Sequence, residues 1–575
     1  MERLEKKCIK GRDYYYYSKW ERVQTPKGSA CRRVWQKYLG TLETILNTMK
    51  SGGNVSPKHV EIFQWGLPMT LWQECCFTEI VGQVDRICKK REQGLTVGEY
   101  MAIAAINRAI SPVSKSSMWD WFSQTALIRQ IPNSSKEALS SQRFWDHMHK
   151  INDNNISTIW ENIILNVIKK EKIDLSSVSY DGTNFYTFID TFNTKCDIAK
   201  RGKNKQGRSN LRQVSYALFC TADGHIPLYY ELYEGNRNDA KQFPLMIKKL
   251  NKLFNKINPN NTTVIFDKGN NSPCNIELLD SFTMKFVGSV KLVEHKELAN
   301  ISNTDSRFQD CSSIPGTKAF RVKKSVYGKE RTLVVTFNKN LFECQLLTLN
   351  NDVNKAMESL RDLSNKLKDR IEGRVTKGKK PSETSLKRQC DEILRRQHLK
   401  KVIKYTINPG DIPTLEYRLD SEEYHNLSNT YLGKNILITS REEWSDEKII
   451  QAYRSQFIIE DVFKEMKDRN RGEWWPLHHW TTQKLQVHGL YCTIAVLIRA
   501  LALRRVQQSG IQISLNRMLK ELDGIREVVN IYPAKNQRKK ETTSSVLSKY
   551  SEIQEKLMKS LGLELRKTLN NQELG

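Results

Sequence analysis

The sequence predicts an α/β protein: a mixed sheet of five strands with flanking helices, interrupted by a large α+β insertion and preceded by a mainly helical region. Three observations predict it. From residue 173, strand-like runs and helical stretches follow one another in the order β-β-β-α-β-α-β. Two of those runs end in an acid followed by a turn signal, at Tyr180-Asp181-Gly182 and at Phe266-Asp267-Lys268. A block over 301–431 then breaks the pattern before a strand and an amphipathic helix resume it.

A chain of 575 residues is too long for one ordinary core, so several domains are expected. Its 92 Lys and Arg against 64 Asp and Glu leave a net charge of +28. That excess points to a polyanionic partner, nucleic acid first and an anionic membrane second. The apolar run Gly489 to Ile498 stops at Arg499, well short of the roughly 20 residues that span a bilayer, and reads as a buried helix. The opening residues carry no apolar leader, so no membrane association is expected. Twelve cysteines contain no Cys-x-x-Cys pair, which argues against zinc ribbons and a disulfide framework and fits a reducing cytoplasm. No G-x-x-x-x-G-K-[ST] loop implies ATP.

Element by element, residues 1–40 form a β-hairpin region, with aromatic runs on either side of a turn at Pro26-Lys27-Gly28-Ser29. Residues 41–165 are helical and are the candidate DNA-binding domain. There Thr96 and Glu99 make a capping-box pattern that opens a helix through Ala109, stopped by Ser111-Pro112. The catalytic core takes 166–300 and 432–505. It holds the Asp181 strand, a hairpin over 213–233, a helix from Asn238, the Asp267 strand, a helix after Ser272 and a strand over 285–290. The insertion, 301–431, contains a hairpin at 319–337, a long helix with apolar residues from Val353 to Ile371, a second helix, and strands at 403–407 and 415–419. Residues 506–575 form a C-terminal helical tail.

This strand order is that of an RNase H-like sheet, whose strand ends are where open sheets place ligands. Asp181 and Asp267 fall at those ends, and Glu460 lies on the helix from Tyr453 to Asp468. Two strand-end carboxylates and one helix carboxylate suit a pair of Mg²⁺ or Mn²⁺ ions, because hard cations take oxygen ligands and a two-metal clamp stabilises an in-line displacement at phosphorus. Tyr453, Glu460 and Lys467 recur every seven residues, which keeps them near one face of a continuous helix. The adjoining face carries Ile459, Val462, Phe463 and Met466 into a core. His478-His479 lacks a completing set of ligands and reads as packing and DNA contact.

The run from Tyr453 to Lys467 resembles the Y-(2)-R-(3)-E-(6)-K signature of DDE transposases of the insertion-sequence-four superfamily. Tyr180-Asp181-Gly182-Thr183, Gly202 to Gln213, Gly235 to Asp239 and Asp267 to Ser272 are similar to the same proteins. The resemblance implies a DNA transposase of an insertion sequence, with Asp181, Asp267 and Glu460 as catalytic metal ligands for two ions per site. It implies binding to terminal inverted repeats, DNA cleavage and strand transfer, a homodimer on double-stranded DNA, and a cytoplasmic, nucleoid-associated location. Tyr453, Arg454, Gln456 and Lys467 would orient the DNA end. The gap of 193 residues between Asp267 and Glu460 agrees with an insertion there. Gln456 stands where the signature has Arg, with Arg454 two residues before it. No Trp lies between Trp160 and Trp444, so nothing selects a residue to stack a flipped base. An RNase H-like nuclease or resolvase, or a non-catalytic domesticated copy, is the alternative.

Overall fold

The computed structural model describes residues 1–25, 28–50, 56–89, 94–203, 207–208, 210–257, 261–282, 284–469, 472, 474–475, 477–533 and 542–565. Pro26 and Lys27 of the expected N-terminal turn, and parts of the 202–213 motif, lie outside them. The chain divides into two units: residues 70–121 with 131–515, and residues 1–69 with 122–130 and 516–575.

The larger unit is built on a ten-stranded mixed sheet. From one edge its strands run Gln309–Asp310, Thr317–Val326, Lys329–Asn338, Lys434–Thr439, Lys285–Val290, Thr263–Phe266, Ser177–Tyr186 and Arg212–Thr221. Both Lys200–Arg201 and Pro227–Glu234 pair with the last of these. Only the three central strands, at 285, 263 and 177, are mutually parallel. The expected order of strands and helices from 173 to 290 is observed with one addition, the two-residue strand Lys200–Arg201, but a sheet of five strands is not.

The difference lies in the hairpin at 317–338, which joins the sheet. Thr332 to Phe337 pair with Lys434 to Thr439, and those residues pair in turn with Val287 to Val290. Arg331 to Thr336 are buried without alternation, the mark of a strand covered on both faces. Beyond this hairpin the insertion has a core of its own. Helix Lys339–Ile371 presents Val353, Ala356, Leu360 and Leu367 to helix Glu383–Ile393 and to the hairpin Ile403–Asn408/Thr414–Leu419.

The helical part of this unit is organised around two buried helices. Val97–Ile110 opens on the expected capping box, with Glu99 N to Thr96 Oγ1 at 3.1 Å and Thr96 N to Glu99 Oε2 at 2.6 Å. It ends at Ser111, and nearly every one of its side chains is buried. Such a helix has no face for a DNA groove. Gly98 is required by packing: a Cβ there would stand 2.3 Å from the Val81 carbonyl oxygen. Helix Thr482–Gln508 packs against it and is long and apolar enough to cross a membrane, but 94% of its most apolar window is buried inside the protein.

In the smaller unit, strands β1 (Glu2–Ile9), β2 (Arg12–Thr25) and β3 (Gly28–Gly40) form an antiparallel sheet, one strand more than the expected hairpin. A second antiparallel sheet joins His59–Gln64, Arg526–Tyr532 and Thr542–Leu547, with helix Glu552–Leu561 in the C-terminal tail. The tail is therefore part strand, where a helical tail was expected, because Arg526–Tyr532 finds its partner about 465 residues earlier in sequence.

Candidate active site

The Asp181 strand (Ser177–Tyr186) and the Asp267 strand (Thr263–Phe266) run parallel, with Ser179 opposite Ile265 and Tyr180 opposite Phe266. The next residues are Asp181 and Asp267, the latter just past its strand's end, so these neighbouring strands, whose backbones lie about 4.8 Å apart, bring both acids to one level. They also share a face. Residues two apart in a strand point the same way. Ile265 packs with Ile449, Ile450 and Tyr453, and Thr183 accepts a hydrogen bond from Lys467 Nζ. Tyr180 and Phe266 point to the opposite face, where Phe243 meets both rings.

A third strand extends the level. Val287 stands opposite Ile265, which carries Ser289 to the height of Asp267. Tyr453 closes the group: its Oη donates to Asp267 Oδ1 at 3.1 Å and lies 2.8 Å from Ser289 Oγ. Its single proton goes to the carboxylate, so Ser289 is the donor to Tyr453. Burial, with Asp267 beside it, pushes the Tyr453 hydroxyl up to about 12, which keeps it a neutral donor.

The expected continuous helix from Tyr453 to Asp468 is two helices, Asp446–Arg454 and Phe457–Lys467. At the junction the backbone bonds shorten to three-residue spacing: Gln456 N to Tyr453 O at 3.2 Å, Ile458 N to Ser455 O at 3.1 Å, and Ile459 N to Gln456 O at 3.2 Å. Ser455 Oγ donates to the Ala452 carbonyl at 2.6 Å, competing with the regular ladder. The seven-residue register therefore joins Glu460 to Lys467 only, and Tyr453 reaches the site from the end of a separate helix.

Helix Phe457–Lys467 anchors itself through buried Ile458, Ile459, Val462, Phe463 and Met466 and packs on the Asp181 strand. Lys467 lies 5.6 Å from the Phe185 ring centroid as well as at Thr183. Glu460 is exposed on the same helix. Gln456 is half-buried at its head, and Arg454 turns away to donate to Thr317 Oγ1 at 2.9 Å. Thus Tyr453 meets Asp267, Lys467 meets Thr183 two residues along the strand from Asp181, Glu460 stands on the covering helix, and Arg454 is held by the start of the hairpin.

Paired carboxylates at one level offer the oxygen donors that a hard divalent cation takes. Glu460 does not close the set: among the described residues no three His, Cys, Asp or Glu side chains converge tightly enough to hold a cation. His479 is packing, as expected. It is buried against Trp145 and the Tyr491 hydroxyl, and burial holds it and His488 neutral.

Ser289 has no motif of its own and becomes visible only through register, which also gives Thr183 of the Asp181 motif its place beside Lys467. Lys268 directly follows Asp267, where it reads as part of a turn. With Lys291 it lines two clefts, one of about 610 Å³ that also meets His398 and Lys434, and one of about 310 Å³ that meets Asn271 and Tyr327. A cavity of about 910 Å³ in the insertion, between Arg361 and Arg418, touches none of the acids.

The model of the transposase DDE domain family matches residues 178–497, more than half of the chain and the whole span from the Asp181 strand to the helix beyond Glu460. The chain belongs to the transposase DDE domain family. No curated protein matches it in sequence. Among solved structures, the piggyBac transposase synaptic complex with hairpin DNA is similar at 10% identity and a TM-score of 0.34, covering 79% of each chain. The Mos1 transposase paired-end complex with left transposon end is similar at 11% identity and a TM-score of 0.15, covering 34% of this chain and 60% of that one. The matched span also takes in the helices and hairpin of 339–430.

Proposed function

We propose that this protein is a DNA transposase of the insertion-sequence-four type, which binds the terminal inverted repeats of its element and cleaves and joins DNA. The observation that carries the reading is the parallel pairing of the Asp181 strand with the strand that leads into Asp267, with Tyr180 opposite Phe266, beneath the helix that bears Glu460. The domain division expected from sequence is retained in outline, with the insertion taken to begin after the hairpin at 317–338.

Asp181 and Asp267, with Glu460 brought down from its helix, would hold Mg²⁺ or Mn²⁺, two ions per site. Bound there, the cations supply Lewis-acid stabilisation to the attacking and leaving oxygens of a phosphodiester. The chain's own residues set the stage. Tyr453 fixes one oxygen of Asp267 and leaves the other for a ligand. Lys467 sets an ammonium two residues along the strand from Asp181, where it would meet a phosphate. Lys268 and Lys291 add two more cations beside Asp267, and Gln456 supplies a neutral donor at the helix head. Arg454, bonded to Thr317, contributes to DNA binding only after leaving that partner. The acting form is a homodimer on paired DNA ends, in the cytoplasm at the nucleoid.

The test is cleavage and joining of element-end DNA in Mg²⁺. Asp181→Asn, Asp267→Asn and Glu460→Gln should each lower the rate about a thousandfold or more, the size of several kcal/mol of lost charge stabilisation. Full activity in all three would overturn the assignment. Products joined to target DNA exclude a nuclease or resolvase, which hydrolyses only, and any turnover excludes a non-catalytic copy.

A further inference from the structure

In the sheet of β1, β2 and β3 the two outer strands are largely exposed, while the middle strand is half-buried from Asp13 to Tyr16 and at Lys19 and Trp20, and buried at Ser18. In β1 all but one residue is exposed, and β3 is exposed at all but its residues 36, 39 and 40. A sheet of three strands ordinarily rests on one hydrophobic face. Here one face carries cations seated on aromatic rings. Arg3 lies 4.4 Å and Arg33 5.8 Å from the Trp20 ring centroid, and Lys7 lies 4.8 Å from that of Tyr16.

Strand register places these residues together. Lys7 pairs with Tyr14, Arg3 with Ser18, and Trp20 with Arg33, so all project on the side of the even-numbered residues of β2. The one carboxylate on this side, Glu5, is already engaged. It accepts from Trp20 Nε1 at 2.6 Å and Gln36 Nε2 at 2.9 Å, and it pairs with Arg3 at 3.3 Å. Glu5 thereby clamps the indole on which the two guanidinium groups sit. Across residues 1–40 there are eleven Lys and Arg against four Asp and Glu.

We propose that this face of the N-terminal sheet docks the phosphate backbone of double-stranded DNA. The inference rests on the reading of the chain as a DNA transposase. It assigns the contact to this sheet rather than to the helical region, whose helix Val97–Ile110 is buried. Charge complementarity selects the occupant: Lys7, Arg3 and Arg33 share this face with Glu5 alone among the carboxylates, to which Arg3 and Arg33 both turn, and phosphates are the anions that come in rows.

The test measures binding of the full chain to a fluorescent duplex of about 30 base pairs across a range of salt concentrations. Two double variants alter charge equally on opposite faces: Lys7→Glu with Arg33→Glu, and Arg32→Glu with Lys37→Glu. The first should weaken binding about tenfold or more and reduce the slope of log K against log salt by about 2, while the second changes affinity less than about threefold. Equal losses from both pairs would show bulk charge at work and overturn the proposal, as would unchanged affinity in the first. If the first pair unfolds the sheet by circular dichroism, Lys7→Gln with Arg33→Gln carries the same expectation at half the charge change. A change in particle mass by light scattering with DNA affinity intact would identify a second copy as the occupant and overturn it too. Wild-type protein that neither binds nor cleaves DNA would overturn the transposase reading itself. Wild-type activity with an unaffected first variant would overturn only the docking face.

Discussion

Tyr453 donates its phenolic proton to Asp267 across 3.1 Å while standing 2.8 Å from Ser289, and so ties the end of one helix to the ends of two parallel strands. A residue expected to touch DNA is instead bonded to a carboxylate of the site. Its helix ends one residue later, and the break at Ser455 lets the next helix take its own course over the Asp181 strand.

Tyr453→Phe should therefore act through Asp267. The variant loses a hydrogen bond to a charged acceptor, with a stability cost of about 2 kcal/mol. The concentration of Mg²⁺ needed for half-maximal cleavage should rise about tenfold or more, the effect of removing a group that orients a ligand. A metal titration of cleavage checks this, and an unchanged midpoint would mean that Asp267 keeps its position unaided.

Lys268, next in sequence to Asp267, and Lys291, paired with Glu294 at 3.2 Å, line both clefts. Replacing both with Gln should lower the salt slope of DNA binding by about 2 and weaken binding at moderate salt, with the thermal midpoint nearly unchanged. An unaltered slope would remove the clefts from the DNA path.

The helix from Val97 to Ile110 gives two stability predictions. Thr96→Ala removes one half of the capping box and should cost about 1 kcal/mol. Gly98→Ala sets a Cβ against the Val81 carbonyl, where backbone has to move, and should cost about 3 kcal/mol. Chemical denaturation of both variants checks the order, and a smaller loss for Gly98→Ala would contradict the packing.

Glu74 provides a pH dependence. Burial raises its carboxyl to about 7, with Glu171 adding repulsion, although Arg505 Nε sits 2.7 Å away. Arg505 is itself held firmly charged by the two carboxylates. The folded state therefore binds a proton more tightly than the unfolded chain. That contribution is complete below pH about 4.5 and is lost as pH rises through about 7. Stability measured from pH 5 to 8 should fall by up to about 3 kcal/mol from this group, and Glu74→Gln should flatten the profile. A slope unchanged in the variant would place the dependence elsewhere.

Much of the molecule was legible without coordinates, because its signals are local. Thr96 and Glu99 marked a helix start, Val353 to Leu367 marked a buried helical stripe, and Asp267 stood where a strand gives way to a turn. Asp181, read as another strand end, lies in mid-strand instead, because Ser177–Tyr186 keeps pairing with Arg212–Thr221 past Gly182. The family resemblance was legible for the same reason: its residues cluster within short segments. Other features depend on partners far away in the chain. The apolar run Leu333 to Val335 marks a strand bound for a core, but not that it pairs edge to edge with Lys434–Thr439, which is why that hairpin was read as insertion. Nor did any spacing reveal that Ser455 would bond Ala452 and split a helix that looked continuous.

By itself, then, the sequence determined which residue types the site could use and on which elements they would lie. Only the tertiary structure decided that Asp181 and Asp267 stand at one level, that Ser289 and Tyr453 join them, and that Glu460 stays on an exposed helix face. The physical reason is register: a shift of one residue in either parallel strand would turn one carboxylate to the opposite face of the sheet, and register is set by pairing and packing between segments that no local pattern connects.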